Sequence, residues 1–155
     1  MKYISYYDVR SLYPFVCTVQ SMPSDHAEIL TEADIEQGKF DINNFFGICR
    51  ACVLAPRGER FPCLPMRKHD RLMFYLCEKC SDNLDKNHTC CCKDSDRQFT
   101  GVFTHIELQL AIKKKYQIIK IYEAWVYHEF MEYDPGKGNE SLFSEYMKLL
   151  FRYEF

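Results

Sequence analysis

Short runs of apolar residues alternate with polar runs along this chain, and this pattern predicts several short strands and helices. Residues 2–9 are mostly apolar or aromatic, as expected for a strand that is buried on both faces. Pro14 suits the first turn of a following helix, which continues over residues 15–20 until Pro23 stops it. Later apolar runs predict strands at 45–54, 72–76 and 116–125, with a short extended segment between Pro62 and Pro65.

Capping residues mark where helices begin and end. Thr31 is placed to cap a short helix, and Gly38 is placed to end it. Thr104 and Glu107 have the spacing of a capping box at the start of a second helix. The buried face of that helix is predicted to consist of Ile106, Leu110 and Ala111. A last helix begins at Asn139 or Ser141, and its broad apolar stripe is formed by Leu142, Phe143, Tyr146, Met147, Leu150 and Tyr153.

Between about residues 77 and 98 the chain becomes polar and cysteine-rich, with few apolar residues for a core of its own. Regular structure is expected to resume at Thr104. The whole pattern predicts an α+β fold with a mainly antiparallel sheet, helices packed on one face, and a cysteine-rich insertion that projects from it.

Composition narrows the classes of protein that this chain can represent. Its 155 residues correspond to one domain, or a piece of one, and 47% hydrophobic residues allow an ordinary packed core. With a net charge of −2 the chain is not a nucleic-acid-binding protein that is basic overall. Its two basic runs, at 67–68 and 113–115, either contact phosphates or form solvated surface. No run of ~20 apolar residues and no secretory signal occurs, so we expect an intracellular protein without a membrane partner. The nine cysteines are then thiols or metal ligands rather than disulfides.

A lone carboxylate, Asp8, stands at the end of the first predicted strand and is followed by a turn. Mg²⁺ prefers oxygen ligands, so this carboxylate and the backbone carbonyl of Val9 suit it. The backbone N–H groups of Ser11, Leu12 and Tyr13 are then available to phosphates. The alternative is that Asp8 is an ordinary turn residue and that Tyr13 belongs to the core.

The string from Asp8 to Pro14, D-V-R-S-L-Y-P, resembles motif A (D-x-x-S-L-Y-P) in the palm of family B DNA polymerases. Residues 99–103, 107–108, 115–125 and 142–146 follow in the order found in the protein-primed members of viruses, linear plasmids and Maverick-type transposons. This resemblance implies a DNA-directed DNA polymerase that transfers nucleotides from a dNTP to a DNA 3′-hydroxyl with two Mg²⁺ ions. Its partners would be a DNA primer–template, a dNTP and a terminal-protein primer. Asp8 would be catalytic, and the Tyr13 ring would pack under the sugar and exclude a 2′-hydroxyl.

The departures from this family are as informative as the match. The chain lacks the second motif, with its Lys and Asn-Ser-x-Tyr-Gly helix, and the third, D-T-D-like motif. The exonuclease domain and its carboxylates are absent too. The resemblance therefore implies a partial palm domain over residues 1–155 that is inactive alone.

A C-x-x-C pair at Cys77 and Cys80 is followed by Cys90 and Cys92, which predicts a zinc site with these four ligands. His88 is the substitute for one of the last two, and related transposon polymerases resemble this chain in a C-x-x-C and C-x-H pair. The alternative is a loop of free, oxidisable thiols. A second C-x-x-C, at 49–52, lies in an apolar strand, with one cysteine expected in the core and one at the surface. This pair is therefore not included among the predicted zinc ligands.

A function from another class remains open beside the polymerase. On that hypothesis the chain is a non-catalytic, zinc-bearing nucleic-acid or protein interaction module, and residues 77–92 are its working part. A zinc hydrolase is disfavoured because the sequence contains no H-E-x-x-H or comparable arrangement.

Overall fold

A computed structural model describes residues 6–8, 12–83, 88–131 and 142–153. Every strand pair in these ranges is antiparallel, which confirms the predicted α+β fold with a mainly antiparallel sheet. The elements in chain order are α1 (Leu12–Val19), β1 (Met22–Pro23), β2 (Glu28–Thr31), α2 (Glu32–Glu36), β3 (Gly47–Leu54), β4 (Pro65–Lys68), β5 (Arg71–Phe74), α3 (Asp94–Arg97), β6 (Phe99–Thr104), α4 (His105–Lys113), β7 (Gln117–Val126), β8 (Phe130–Met131) and α5 (Ser144–Tyr153).

The chain divides into two compact units, and the first contains the residues up to His26 and those from His128 onward. Helices α1 and α5 pack on each other, and β1 pairs with β8. Beside this pair the Ser24 N–H donates to the Glu129 carbonyl at 3.0 Å, and the His128 N–H donates to Asp25 Oδ2 at 3.0 Å. These bonds join two segments that are far apart in the sequence.

The second unit, Ala27–Tyr127, is built on a four-stranded sheet in the order β2-β7-β3-β6. One face of the sheet is covered by an apolar cluster in which Val53, Phe103 and Leu108 are fully buried. Helix α4 contributes Leu108 to this cluster, and α2 contributes the partly buried Ile35. Both helices therefore belong to the covered side of the sheet, as the sequence predicts.

The predicted cap at Thr31 and the predicted capping box at Thr104 are both present, and Thr31 also forms a capping box with Asp34. The Thr31 N–H donates to the Asp34 carboxylate at 3.1 Å, and Gly38 follows α2 with a positive φ of 79°. At α4 the Thr104 N–H donates to Glu107 Oε2 at 2.7 Å, while the Glu107 N–H donates to Thr104 Oγ1 at 3.3 Å. Local side-chain chemistry therefore determines both helix starts.

Strands β4 and β5 form a hairpin whose two-residue loop is His69-Asp70. Both residues have positive φ values, 50° and 56°, as the central positions of a type I′ turn require. The sequence predicts β5 and an extended segment near β4, but it does not predict that the two form a hairpin. Neither residue of the turn is the Gly or Asn that normally marks a type I′ turn.

Regular structure resumes earlier than the predicted position at Thr104, because the short helix α3 begins at Asp94 and strand β6 begins at Phe99. Phe99 and Phe103 point into the core while Thr100 and Val102 are exposed, which is the alternation of a half-buried strand. Gly101 lies in the middle of this strand and breaks the apolar pattern in the sequence. Strand β2 was also not predicted.

The buried face of α4 was predicted only in part. Ala111 is buried, but Ile106 is 66% exposed and Leu110 is 44% exposed, while Leu108 is fully buried. The helix therefore faces the sheet with Leu108 and Ala111, which are three residues apart. The side chains of Ile106 and Leu110, which are four residues apart, remain largely exposed to solvent.

The prediction that one of Cys49 and Cys52 lies at the surface is wrong. Cys49 is 1% exposed in the core, and Cys52 is 8% exposed on the other face of β3. On that face the Cys52 thiol is a hydrogen-bond partner of the Gln98 side chain, with Sγ 3.8 Å from Oε1. Of the strand predicted at 2–9, only residues 6–8 are described, and they have no regular structure.

Candidate functional sites

The motif A segment lies in the first unit, before and at the start of α1. Asp8 is exposed, and Leu12 and Tyr13 open the helix with exposed fractions of 46% and 84%. Val9 and Ser11 lie outside the described residues. In the part of the chain that the structure describes, Asp8 is not in a group of three or more potential metal ligands, so this segment offers one carboxylate and an exposed aromatic ring.

The second candidate site is a cluster of the four cysteines predicted as zinc ligands, Cys77, Cys80, Cys90 and Cys92. Their four Sγ atoms all lie within 4.8 Å of one another, and Cys80 Sγ is 3.5 Å from Cys92 Sγ. Zinc bound by four thiolates at ~2.3 Å in a tetrahedron separates the sulfurs by roughly 3.8 Å. The cluster therefore has the size and the donor set of a structural zinc site.

Helix α3 holds the two halves of this cysteine cluster together. The Glu78 N–H donates to the Arg97 carbonyl and the Lys79 N–H to the Asp96 carbonyl, each at 3.3 Å. The Lys79 ammonium also lies 2.9 Å from the Asp96 carboxylate. Because α3 follows Cys92 directly, these bonds fix the C-x-x-C turn beside the second pair of cysteines.

Two arginines tie the cluster to the end of β3. Buried Arg97 donates through Nη2 to the Ala55 carbonyl at 2.8 Å. Arg57 donates through Nη2 to the Cys92 carbonyl at 2.9 Å and to Asp94 at 2.6 Å. Neither arginine can be identified from the sequence, because their roles arise from contacts across about 40 residues of chain.

The hairpin of β4 and β5 supports the C-x-x-C turn from another direction. Lys68 Nζ lies 3.3 Å from Glu78 Oε1 and 3.0 Å from Asp82 Oδ2. The Tyr75 hydroxyl donates to Glu78 Oε2 at 2.5 Å. Hydrogen bonding to Asp82 and Glu78 raises the pKa of Lys68, so this ammonium stays charged beside the turn.

The thiols of the cluster influence one another's ionisation. Burial raises the pKa of Cys80, and the neighbouring thiol of Cys92 raises it further. Burial also acts to raise the pKa of Cys90, but hydrogen bonds from the Cys92 backbone and from the other thiols lower it to about 7. Close thiolates repel each other, and a bound cation is the ordinary way to relieve that repulsion.

His88 and Cys91 lie next to the cluster without joining it. His88 Nε2 is 3.1 Å from Cys80 Sγ, so the imidazole is a hydrogen-bond partner of a thiol and is not one of the four grouped donors. Cys91 is exposed between Cys90 and Cys92. Among the described residues, the four thiols are the group whose donor atoms lie close enough together to hold one ion.

Two aspartates in α3 have a spacing similar to that of the D-T-D-like polymerase motif. They belong to the string Asp94-Ser95-Asp96, which forms the first turn of α3. The Asp94 carboxylate pairs with Arg57 and Arg97, and the Asp96 carboxylate pairs with Lys79. These aspartates therefore hold the cysteine cluster in place through ion pairs.

No helix in the described ranges combines the length and apolar character needed to cross a bilayer. The chain matches the family described as DNA polymerase type B, organellar and viral, over residues 1–153. No curated protein matches the chain, and no solved structure matches it. Because the family match covers nearly every residue, including Asp8 to Pro14 and the cysteine cluster, this chain belongs to the organellar and viral group of type B DNA polymerases.

Proposed function

We propose that this chain is a partial palm domain, residues 1–155, of a DNA-directed DNA polymerase of the protein-primed type. The observation that carries the proposal is that motif A, from Asp8 to Pro14, lies within a family match that extends over residues 1–153. Its partners would be a DNA primer–template, a deoxynucleotide and a terminal-protein primer. The cysteine-rich segment at about 77–98 is an insertion in this domain.

In this proposal the residues of motif A hold the metal and the incoming nucleotide. Two Mg²⁺ ions would supply activation of the primer 3′-hydroxyl and neutralisation of the triphosphate. Asp8 and the Val9 carbonyl would hold one of them, and the backbone N–H groups of Ser11, Leu12 and Tyr13 would bind the phosphates. The Tyr13 ring, 84% exposed, is accessible to contact the sugar and to exclude a 2′-hydroxyl by a steric clash.

The 155 residues contain one of the three motifs that the polymerase reaction needs, so we expect no primer extension by the isolated chain. Extension above background by the purified protein would contradict this expectation. We further propose that Cys77, Cys80, Cys90 and Cys92 hold a structural zinc ion, which supplies order where apolar burial is scarce.

The first experiment measures Mn²⁺ and deoxynucleotide binding to the full chain and to Asp8→Ala, with zinc content determined on the same samples. Asp70→Ala is the matched control, because Asp70 is an exposed carboxylate in the β4–β5 turn. We expect weaker Mn²⁺ binding in Asp8→Ala alone, with one zinc per chain in all three proteins. Equal Mn²⁺ binding in all three would refute the role of Asp8.

A second test concerns the sugar. Tyr13→Val should reduce the preference for a deoxynucleotide over the matching ribonucleotide without changing Mn²⁺ binding. An unchanged preference would remove the sugar-contacting role of Tyr13.

The alternative function, a non-catalytic zinc-bearing interaction module, is favoured by the compact cysteine cluster. Stoichiometric zinc together with Asp8-independent Mn²⁺ binding is the result that would support it over the polymerase fragment.

A further inference from the structure

A groove in the second unit brings together two basic segments that are far apart in the sequence. It has a volume of about 580 Å³ and lies between the loop after β3 and the turn after α4. Five cationic side chains and one carboxylate line it: Arg57, Arg60, Lys113, Lys114, Lys115 and Glu59. A chain with a net charge of −2 therefore concentrates positive charge on one local surface.

The one carboxylate of this groove is already used by the loop that carries it. Glu59 Oε1 accepts the backbone N–H groups of Arg60 at 2.8 Å and Phe61 at 3.0 Å. These two bonds lower the pKa of Glu59, with the bond from Phe61 contributing most. Among the described residues, Arg60 and the three lysines have no salt-bridge partner within 4.0 Å, so their charges remain available.

Lys115 stands where a glycine would be the favoured residue. The Lys115 N–H donates to the Ile112 carbonyl and the Tyr116 N–H to the Ala111 carbonyl, each at 2.9 Å, which is the Schellman arrangement at the end of α4. Lys115 has a φ of 65°, in the left-handed region that disfavours residues with a Cβ. The helix end therefore carries a positive charge into the groove at a conformational disadvantage.

An aromatic ring accompanies these cations. Phe61 lines the same groove and is 72% exposed, so its ring is accessible to a ligand. Cationic side chains that follow a phosphate backbone, together with exposed aromatic rings on which bases stack, are the combination that binds single-stranded nucleic acid.

The groove is also joined to the cysteine cluster. A neighbouring cavity of about 950 Å³ is lined by the same loop, Pro56 to Arg60, and by Cys77, His88 and Cys90. Arg57 connects the loop to the Cys92 carbonyl at 2.9 Å. The cluster therefore helps to set the position of the loop that carries Arg60 and Phe61.

We propose that this groove, formed by Arg60, Phe61 and Lys113–Lys115, binds a single-stranded DNA segment through its phosphates and one stacked base. The choice of DNA as the nucleic acid rests on the proposed function, whereas the charge and the ring that form the surface do not. The groove lies within the second unit, and Asp8 belongs to the first.

The test measures binding of a fluorescent oligothymidylate of about 12 nucleotides to the full, zinc-loaded chain as salt is varied. Four available cations predict a slope of log K on log salt of about −2.8, or a loss of roughly 50-fold between 50 and 200 mM salt. A duplex of equal length is expected to bind more weakly, because its bases cannot stack on Phe61.

Lys115→Gly is the decisive variant, since it relieves the backbone conformation while removing a charge. It should keep or raise the Tm, lower the affinity about fivefold at 0.1 M salt, and reduce the slope by about 0.7. Arg71→Gln, which removes an exposed charge outside the groove, should leave both unchanged. Wild-type affinity and slope in Lys115→Gly would overturn the proposal.

Phe61→Ala should lower the affinity at least about fivefold without changing the slope, because stacking does not release counterions. If poly-glutamate competes as well as oligothymidylate and Phe61→Ala binds normally, the groove recognises acidic protein and the proposal is wrong. Asp8→Ala should bind oligothymidylate normally, so loss of Asp8-dependent Mn²⁺ binding and loss of groove binding are separate results.

Discussion

Two adjacent cysteines, Cys91 and Cys92, provide a sharp test of the cysteine cluster. Cys92 is one of the four grouped thiols, whereas Cys91 is exposed and lies outside the group. Cys92→Ser leaves three thiols, and Cys91→Ser leaves all four. Because the two variants make the same chemical change at neighbouring positions, any difference between them reports on the metal site.

The size of the effect follows from ligand linkage. With free zinc at about 100 times the Kd, binding stabilises the folded chain by about 2.7 kcal/mol. For a chain of this length 1 kcal/mol corresponds to roughly 2–4 °C, so Cys92→Ser should melt about 5–10 °C below the wild type. Cys91→Ser should stay within about 2 °C, as exposed substitutions usually do.

The assay is thermal unfolding with zinc content measured on the same samples, before and after a zinc chelator. We expect about one zinc per chain in the wild type and in Cys91→Ser, and less than about half in Cys92→Ser. Chelation should bring the wild type down to the Tm of Cys92→Ser. Equal zinc content and equal Tm in the two variants would refute the four-thiol site.

Three further predictions concern local geometry and are each measured by chemical denaturation. Gly47→Ala should lower the free energy of unfolding by at least about 3 kcal/mol, because φ is 153° and a Cβ would lie 1.9 Å from the Trp125 carbonyl oxygen. Gly38→Ala has open space around it and should lower the free energy of unfolding by only about 1 kcal/mol. Equal effects of the two substitutions would contradict the clash at Gly47. Asp70→Gly should stabilise by about 0.5–1 kcal/mol by relieving a φ of 56° in a type I′ turn, and a loss of stability would contradict that turn assignment. Thr104→Ala should cost about 1 kcal/mol by removing the cap of α4, whereas Thr100→Ala, on an exposed strand position, should change little.

Features that depend on nearby residues could be predicted from the sequence. The caps at Thr31 and Thr104 and the helix containing Pro14 are local in this sense, and all three are present. The four thiols of the cluster were identified from spacing alone, since a C-x-x-C turn and a second pair limit the ways to surround one ion.

Features that depend on distant residues could not be predicted in the same way. Cys52 is buried and contacts Gln98, 46 residues further along the chain, and no local pattern shows that contact. The basic groove needs the turn after α4 beside the loop at Arg60. Of its cations, the sequence therefore showed only the run at 113–115 as a candidate to meet phosphates, and the other run, 67–68, does not line the groove. The role proposed for the motif A residues rests on the family match, because Asp8 is exposed and is not grouped with other potential metal ligands among the described residues.

The anchoring of the C-x-x-C turn on α3 has a consequence for the order of folding. The four cysteines and the backbone bonds that hold the C-x-x-C turn on α3 lie between residues 77 and 97, whereas the sheet must bring Gly47 beside Val126. Short-range contacts form faster than long-range strand pairing, because less chain entropy is lost when a small loop closes. Zinc bound early would shorten the effective connection between β5 and β6, so we expect refolding to be faster when zinc is present from the start than when it is added afterwards.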